Sequence, residues 1–214
     1  MLFRSKRLDL YQSDEALTLP PVPMPALNTL GIGGGNGEWD KDRIDDLLVW
    51  AQAFAPNLDS FAICNHDRAT AQLFVEALSE CAHHNKLENL LLIDCDLVED
   101  DAERLLFGLQ DEFPNLKTLS LCRNKIESID SIGHAAGIAA KARKEGNNQV
   151  STTLKRLNLS ENPFFANLKD SKSSDHAAAM SLLDSFERLC WLGHSKETDT
   201  PTAELEYKTK LTLI

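Results

Sequence analysis

The 214-residue chain lacks any run of about 18 consecutive apolar residues, the length a helix needs to cross a bilayer, so no transmembrane helix is expected. No secretory leader is expected either. The basic start Met1-Leu2-Phe3-Arg4-Ser5-Lys6-Arg7 runs directly into Leu8-Asp9-Leu10, with no apolar stretch and no small-residue cleavage site between them. An organelle-targeting remnant is the alternative reading of that start. Cysteines are five, an odd count, and none forms a C-x-x-C pair. This argues against a disulfide framework and for a reducing intracellular compartment, cytoplasm or nucleus first. Aromatic residues make up 7% and apolar residues 43%, ordinary for a soluble protein. Positive charge is in deficit: 22 Lys and Arg against 33 Asp and Glu give a net charge of −11. Such a surface repels a phosphate backbone, so nucleic acid is not the expected partner.

Motifs for catalysis, cofactors and metals are also missing. Gly31-Ile32-Gly33-Gly34-Gly35-Asn36-Gly37 looks like a phosphate loop, but Asn36 breaks the G-x-G-x-x-G order and no G-K-[ST] follows. Glycines there suit a tight strand-to-helix turn instead. His83-His84 is an adjacent pair rather than an i, i+4 ligand pair, and at a helix end cations favour a capping role. His134, His176 and His194 are scattered, and no Ser-His-Asp set, H-E-x-x-H or paired-carboxylate arrangement can be placed. No enzymatic activity, cofactor or metal is expected.

What the chain does contain is one pattern, L-x-x-L-x-L, in five copies. They start at Leu27, Leu58, Leu87, Leu116 and Leu154, and continue Leu30/Ile32, Phe61/Ile63, Leu90/Leu92, Leu119/Leu121 and Leu157/Leu159. Leu58 to Leu87 and Leu87 to Leu116 are each 29 residues. Cys95, Asn124 and Asn162 follow the last three copies, where an Asn or Cys side chain can bond the backbone of neighbouring turns. The second copy has Asn65 or His66 there and the first Gly35-Asn36, so those turns are candidates for irregularity. Leu8-Asp9-Leu10 and Phe186 to Trp191 read as weaker outer strands, bringing the count to about seven. After each strand the apolar residues fall at helical spacing: Ile44, Leu47, Leu48, Ala51, Phe54; Leu73, Phe74, Ala77, Leu78, Cys81; Ala102, Leu105, Leu106, Leu109; Ala179, Leu182, Leu183, Phe186.

A strand and a full helix within 28 to 29 residues resembles the ribonuclease-inhibitor-like class of leucine-rich repeats, over roughly residues 8–193. The resemblance implies an α/β leucine-rich-repeat solenoid, a horseshoe of about seven strand–helix repeats. A parallel sheet would line its concave face and helices its convex face. One domain would span 1–214, with repeats over about 5–193 and a loop plus C-terminal capping helix over 194–214. Thr200-Pro201 would start that helix, and Ala203, Tyr207, Leu211 and Ile214 would form its apolar stripe. A strand over 211–213 is the runner-up. The apolar end implies that the native chain continues or packs on a neighbour.

On such a sheet the second, third, fifth, seventh and eighth motif positions face outward. Over seven strands they collect seven basic and six acidic side chains, near +1 against −11 for the chain. The acid therefore falls on the helices and loops. The candidate partner-binding residues are Glu88, Leu91, Ile93, Lys117, Arg123, Lys155, Arg156 and Arg188. Two readings stand for the charged ones: a docking patch for an acidic partner, or an internal ladder. In the ladder Asp94, Arg123 and Glu161 pair along one row, and Glu88, Lys117, Lys155 and Glu187 along another. Arg156 and Arg188 have no acid in their row. Leu91 and Ile93, with Leu192, form either an exposed apolar patch or ordinary exposed residues. Cys64, Cys122 and Cys190 fall on outward positions as ordinary thiols. Leu119 to Leu157 is 38 residues, nine above the repeat, and the extra stretch carries Lys141, Arg143, Lys144, Gly146, Asn147 and Asn148. It is a binding insertion or a flexible basic loop, and 169–174 reads as a second mobile loop.

The function implied is a non-catalytic protein–protein interaction module, acting as scaffold, adaptor or subunit of a larger assembly through its concave sheet. Its partner is another protein or a multiprotein complex. The alternatives are a regulator of a small GTPase and a ubiquitin-ligase substrate receptor. Repeats of this class occur in GTPase-activating proteins that carry an acidic tail, and after an F-box in ligase receptors. Neither feature is visible in the sequence.

Overall fold

The computed structural model describes residues 5–11, 19, 21–34, 39–134, 154 and 156–185. Six strands form one parallel sheet in chain order: β1 Arg7–Tyr11, β2 Thr29–Gly33, β3 Ser60–Cys64, β4 Asn89–Ile93, β5 Thr118–Ser120 and β6 Arg156–Asn158. Leu8, Leu30, Phe61, Leu90, Leu119 and Leu157 stand side by side across it. The register thus aligns the fourth motif residue of every copy. The strand expected over 186–191 and the C-terminal helix lie outside the described residues.

The connections carry helices where the spacing places them: α1 Lys41–Phe54, α2 Arg68–Glu80, α3 Glu99–Glu112 and α4 Ser174–Ser185. Their starts follow from local chemistry. The Asp40 carboxylate accepts the Arg43 N–H at 2.9 Å, and the Asp67 carboxylate accepts the Thr70 N–H at 2.7 Å. Each satisfies a donor that the first helical turn would otherwise leave orphaned. At α3 the roles reverse, and Asp101 reaches back to the Val98 N–H at 2.9 Å. A helical turn over 130–134 follows β5, and the basic insertion beyond it lies outside the described residues. A 3-10 helix, Pro163–Lys169, precedes α4. The loop expected over 169–174 is a short turn, in which the Asp170 side chain and carbonyl each accept a backbone N–H, from Lys172 and Ser173, at 2.9 Å.

Strand and helix residues share one hydrophobic cluster. Leu30, Phe61, Leu90, Leu119 and Leu157 are fully inaccessible, and so are Ile44, Ala51, Phe74 and Ala102 from the helices facing them. Full burial of each large side chain contributes about 1.5–3 kcal/mol, which is why the leucine pattern outweighs local propensity.

The turns leaving the strands share one construction. Asn65, Asp94, Arg123 and Glu161 all adopt left-handed φ, from 56° to 59°. Asn65, Asp94 and Arg123 also donate their N–H to the following repeat, to the carbonyls of Ile93, Cys122 and Ser160. Next to them sit the polar plugs. Asn124 donates to the carbonyls of Leu92 and Cys122 at 2.9 and 3.2 Å, and its amide oxygen accepts the N–H of Cys95 and of Leu97. Asn162 makes the same bonds one turn later, to Leu121 and Ser160, and accepts from Ile126. The Cys95 thiol donates to the equivalent two carbonyls, Ile63 and Ile93, at 3.3 and 3.4 Å. A thiol thus replaces the amide as donor, and this turn departs from the others in one respect, the left-handed φ of 55° at the next residue, Asp96.

Three expectations need correction. The turn at 65–66 is regular in backbone, since Asn65 repeats the left-handed φ of its counterparts. What differs is the plug: His66 Nε2 is buried without a partner, and the ring packs on Trp39 and Phe74 instead. Gly31 and Gly33 belong to β2 rather than to a turn. Gly34 is the constrained one, because a Cβ there would lie 1.6 Å from the Asn65 carbonyl oxygen. Finally, His83 does not cap a helix. It is 3% exposed, and its ring lies in the core beside Phe61 rather than at the helix end. His84 does stay at the helix end, its Nδ1 lying 2.8 Å from the Cys81 carbonyl.

Candidate interaction face

With leucines directed to the helices, alternation sends the third, fifth and seventh motif residues to the opposite face of the sheet. The fifth-position row, read from the register, is Asp9, Gly31, Ala62, Leu91, Ser120 and Asn158. Leu91 and its strand neighbour Ile93 are half-buried. They are the large apolar side chains of this face between smaller flanks. Ala62, Ser60, Ser120, Cys122 and Ser160 are all buried, although they face outward. Small side chains sink between larger neighbours. At Gly31 the Asp9 carboxylate occupies the space a Cβ would need. The outward positions are therefore less exposed than alternation alone implies.

The charged residues divide cleanly. Lys117 Nζ donates to Glu88 at 2.5 Å, Arg123 Nε to Glu161 at 2.7 Å, and Arg7 Nε to Asp9 at 2.9 Å. The first two are pairs of the expected ladder, whereas Arg7 and Asp9 lie on one strand, β1, and pair outside it. Asp94 does not join it by contact, but its charge, after that of Glu161, helps hold the Arg123 guanidinium in its protonated form. Arg156 is exposed on β6 with no ion pair or side-chain hydrogen bond among the described residues. Lys155 and Arg188 lie outside the described residues, as do Glu187, Cys190 and Leu192.

Two polar chains on this face escaped the motif reading. Asn89 donates to the Ser60 hydroxyl at 2.8 Å, which donates to Asp59 at 2.7 Å. Ser160 donates to the Cys122 sulfur at 3.3 Å and to Asn158 at 2.6 Å. The available signal was position, since Ser60 and Asn89 are both third in their motif and so neighbours in register. Carboxylates that tie successive turns were also missed. Asp101 is buried and pairs with Arg68 Nε at 2.7 Å and Gln72 at 2.6 Å. Asp175 accepts from Ser128, Ile129 and Asn167.

Two of the thiols, Cys95 and Cys64, are weak nucleophiles. Burial pushes Cys95 up to about 12, against the opposing His66 N–H. Burial also raises Cys64, with Arg7 opposing and Asp9 and Asp94 adding to the rise. A thiolate is the reactive form, so neither is poised to attack a substrate near neutral pH. Among the described residues no three His, Cys, Asp or Glu side chains are grouped to hold a metal ion, and no helix is long and apolar enough to cross a membrane. The face can therefore offer apolar contact at its centre, hydrogen bonds beside it and one unpaired guanidinium. A comparison with models of known protein families finds none that matches the chain, and no curated protein matches it.

Proposed function

We propose that the chain is a leucine-rich-repeat solenoid of the ribonuclease-inhibitor-like class, and that it works as a non-catalytic protein-interaction module. The outer face of the sheet is its concave docking surface. One observation carries this reading: six adjacent strands hold the motif leucines in register on one side, which leaves a continuous, differently composed face on the other. Successive parallel strands joined by helices leave no fold element to cover that face among the described residues. Its half-buried Leu91 and Ile93, bordered by ion pairs, have the apolar centre and polar rim of a recognition patch.

Affinity capture with quantitative mass spectrometry tests the reading through three forms of the full chain. Wild type and Val49→Asp should retain one common set of partners, since Val49 lies 64% exposed on α1, on the helical side. The double variant Leu91→Ser/Arg156→Glu should lose that set. Partners that survive the double variant but not Val49→Asp would move the docking surface to the helices.

A further inference from the structure

The outer face also narrows the chemistry of what it binds, an inference that rests on the proposed docking role. Along β4 to β6 the basic residues Lys117 and Arg123 are each neutralised by a carboxylate within the chain. Arg156 has no such carboxylate among the described residues. Its described register neighbours are Thr118 and Asn89, both uncharged, so no anion in the described part of its row shields it. The apolar pair stands on the same three strands. Register places Asn158, not Arg156, opposite Leu91, through Ser120. Arg156 is therefore two strands across and two residues back from Leu91. At about 4.8 Å per strand and 3.3 Å per residue, the two backbone positions are about 12 Å apart. Between them lie Ser120 and Thr118, one buried and one half-buried, and neither bulky enough to interrupt a ligand laid across.

We propose that this face takes a protein segment in which a bulky apolar side chain, seated on Leu91 and Ile93, is followed at about 12 Å by a carboxylate that pairs with Arg156. In extended chain, rising about 3.3 Å per residue, the spacing is four residues, with both side chains on one side of the peptide. The carboxylate supplies the charge that Arg156 lacks among the described residues. The Glu88–Lys117 and Arg123–Glu161 pairs border the apolar seat and present little net charge to compete with it. Asp94 stands exposed just beyond Ile93 and disfavours an acid at that end, which gives the segment a direction.

A random peptide display library selected on the full-length protein tests this. Sequences enriched on wild type should share a bulky apolar residue and an Asp or Glu at a fixed offset. Selection on Arg156→Glu should remove the acidic preference or replace it with Lys or Arg. Selection on Leu91→Ser should lose the apolar residue, and Ser at this position matches its register neighbour Ser120, which keeps the strand intact. An enriched peptide should bind Arg156→Glu at least about tenfold more weakly in fluorescence anisotropy, with Arg156→Lys in between. If binders depend on Leu91 but are indifferent to Arg156, the acidic segment is wrong while the docking face survives. If they are indifferent to both, the docking face falls too. A library that yields no binder on folded protein also overturns the proposal.

Discussion

Replacing Asn124 by Ala removes the plug between two turns. The residue is buried, 5% exposed. Its loss strands the N–H groups of Cys95 and Leu97, bonded at 2.9 and 3.1 Å, and strips one bond each from the Leu92 and Cys122 carbonyls. An unsatisfied buried donor costs about 1–3 kcal/mol, whereas the carbonyls keep a second lone pair and lose less. The sum is about 4 kcal/mol. At about 3 °C per kcal/mol for a chain of this size, the melting midpoint should fall by about 12 °C. Chemical denaturation followed by circular dichroism gives the free energy, and a thermal melt gives the midpoint. Asn124→Cys is the informative control. One turn earlier the Cys95 thiol fills the equivalent place, donating towards two carbonyls and accepting the His66 N–H, so a cysteine at 124 should recover part of the loss. Asn124→Leu should recover none, having volume but neither acceptor nor donor. A loss below about 1 kcal/mol for Asn124→Ala would refute the reasoning, and so would an Asn124→Cys protein no better than Asn124→Ala.

Leu119, fully inaccessible at the centre of the sheet, should cost roughly 2–5 kcal/mol when cut to Ala, read from the urea midpoint. A mild effect would question the strand register. Burial lowers the His83 pKa, with the carbonyl of Ala51 opposing and the charge of Lys86 adding to the fall. The stability tied to neutral His83 is therefore fully present above the unfolded value of about 6.5 and is lost as pH falls below it, by up to about 1.4 kcal/mol per pH unit. His66 is lowered by burial too, against Asp67, and adds a slope of the same sign. Denaturation midpoints between pH 8 and 5.5 should show this slope, and His83→Leu should flatten part of it. Cys95 should resist a thiol-specific maleimide at pH 7.5 in the folded protein and react on unfolding, as peptide mass mapping would report; rapid native labelling would contradict its burial.

Much of the architecture was legible because it depends on period. Leucines three and two residues apart, recurring at 29 residues through the middle copies, can be buried together only if successive strands align, and the register from Leu8 to Leu157 follows. The plugs were legible for a similar reason: Cys95, Asn124 and Asn162 hold one position in the pattern, and that position leaves backbone groups to satisfy. Helix starts at Asp40 and Asp67 could be read locally, since a capping carboxylate acts within three residues.

What the tertiary structure decided depends on distance between side chains that no period encodes. Glu88 and Lys117 pair, as do Arg123 and Glu161, because their strands are neighbours and their side chains reach; Asp94, in the same row, makes no ion pair because Arg123 turns to the other side. Ser120, Cys122 and Ser160 face outward yet are buried, since accessibility depends on the size of neighbours and not on the direction of a Cβ. His83 left the helix end it was expected to cap because the space beside Phe61 took its ring, a packing outcome invisible in the dipeptide His83-His84. By itself the sequence determined which residues share a row. Only the packed sheet decided which of them meet, and which one, Arg156, finds no ion partner among the described residues.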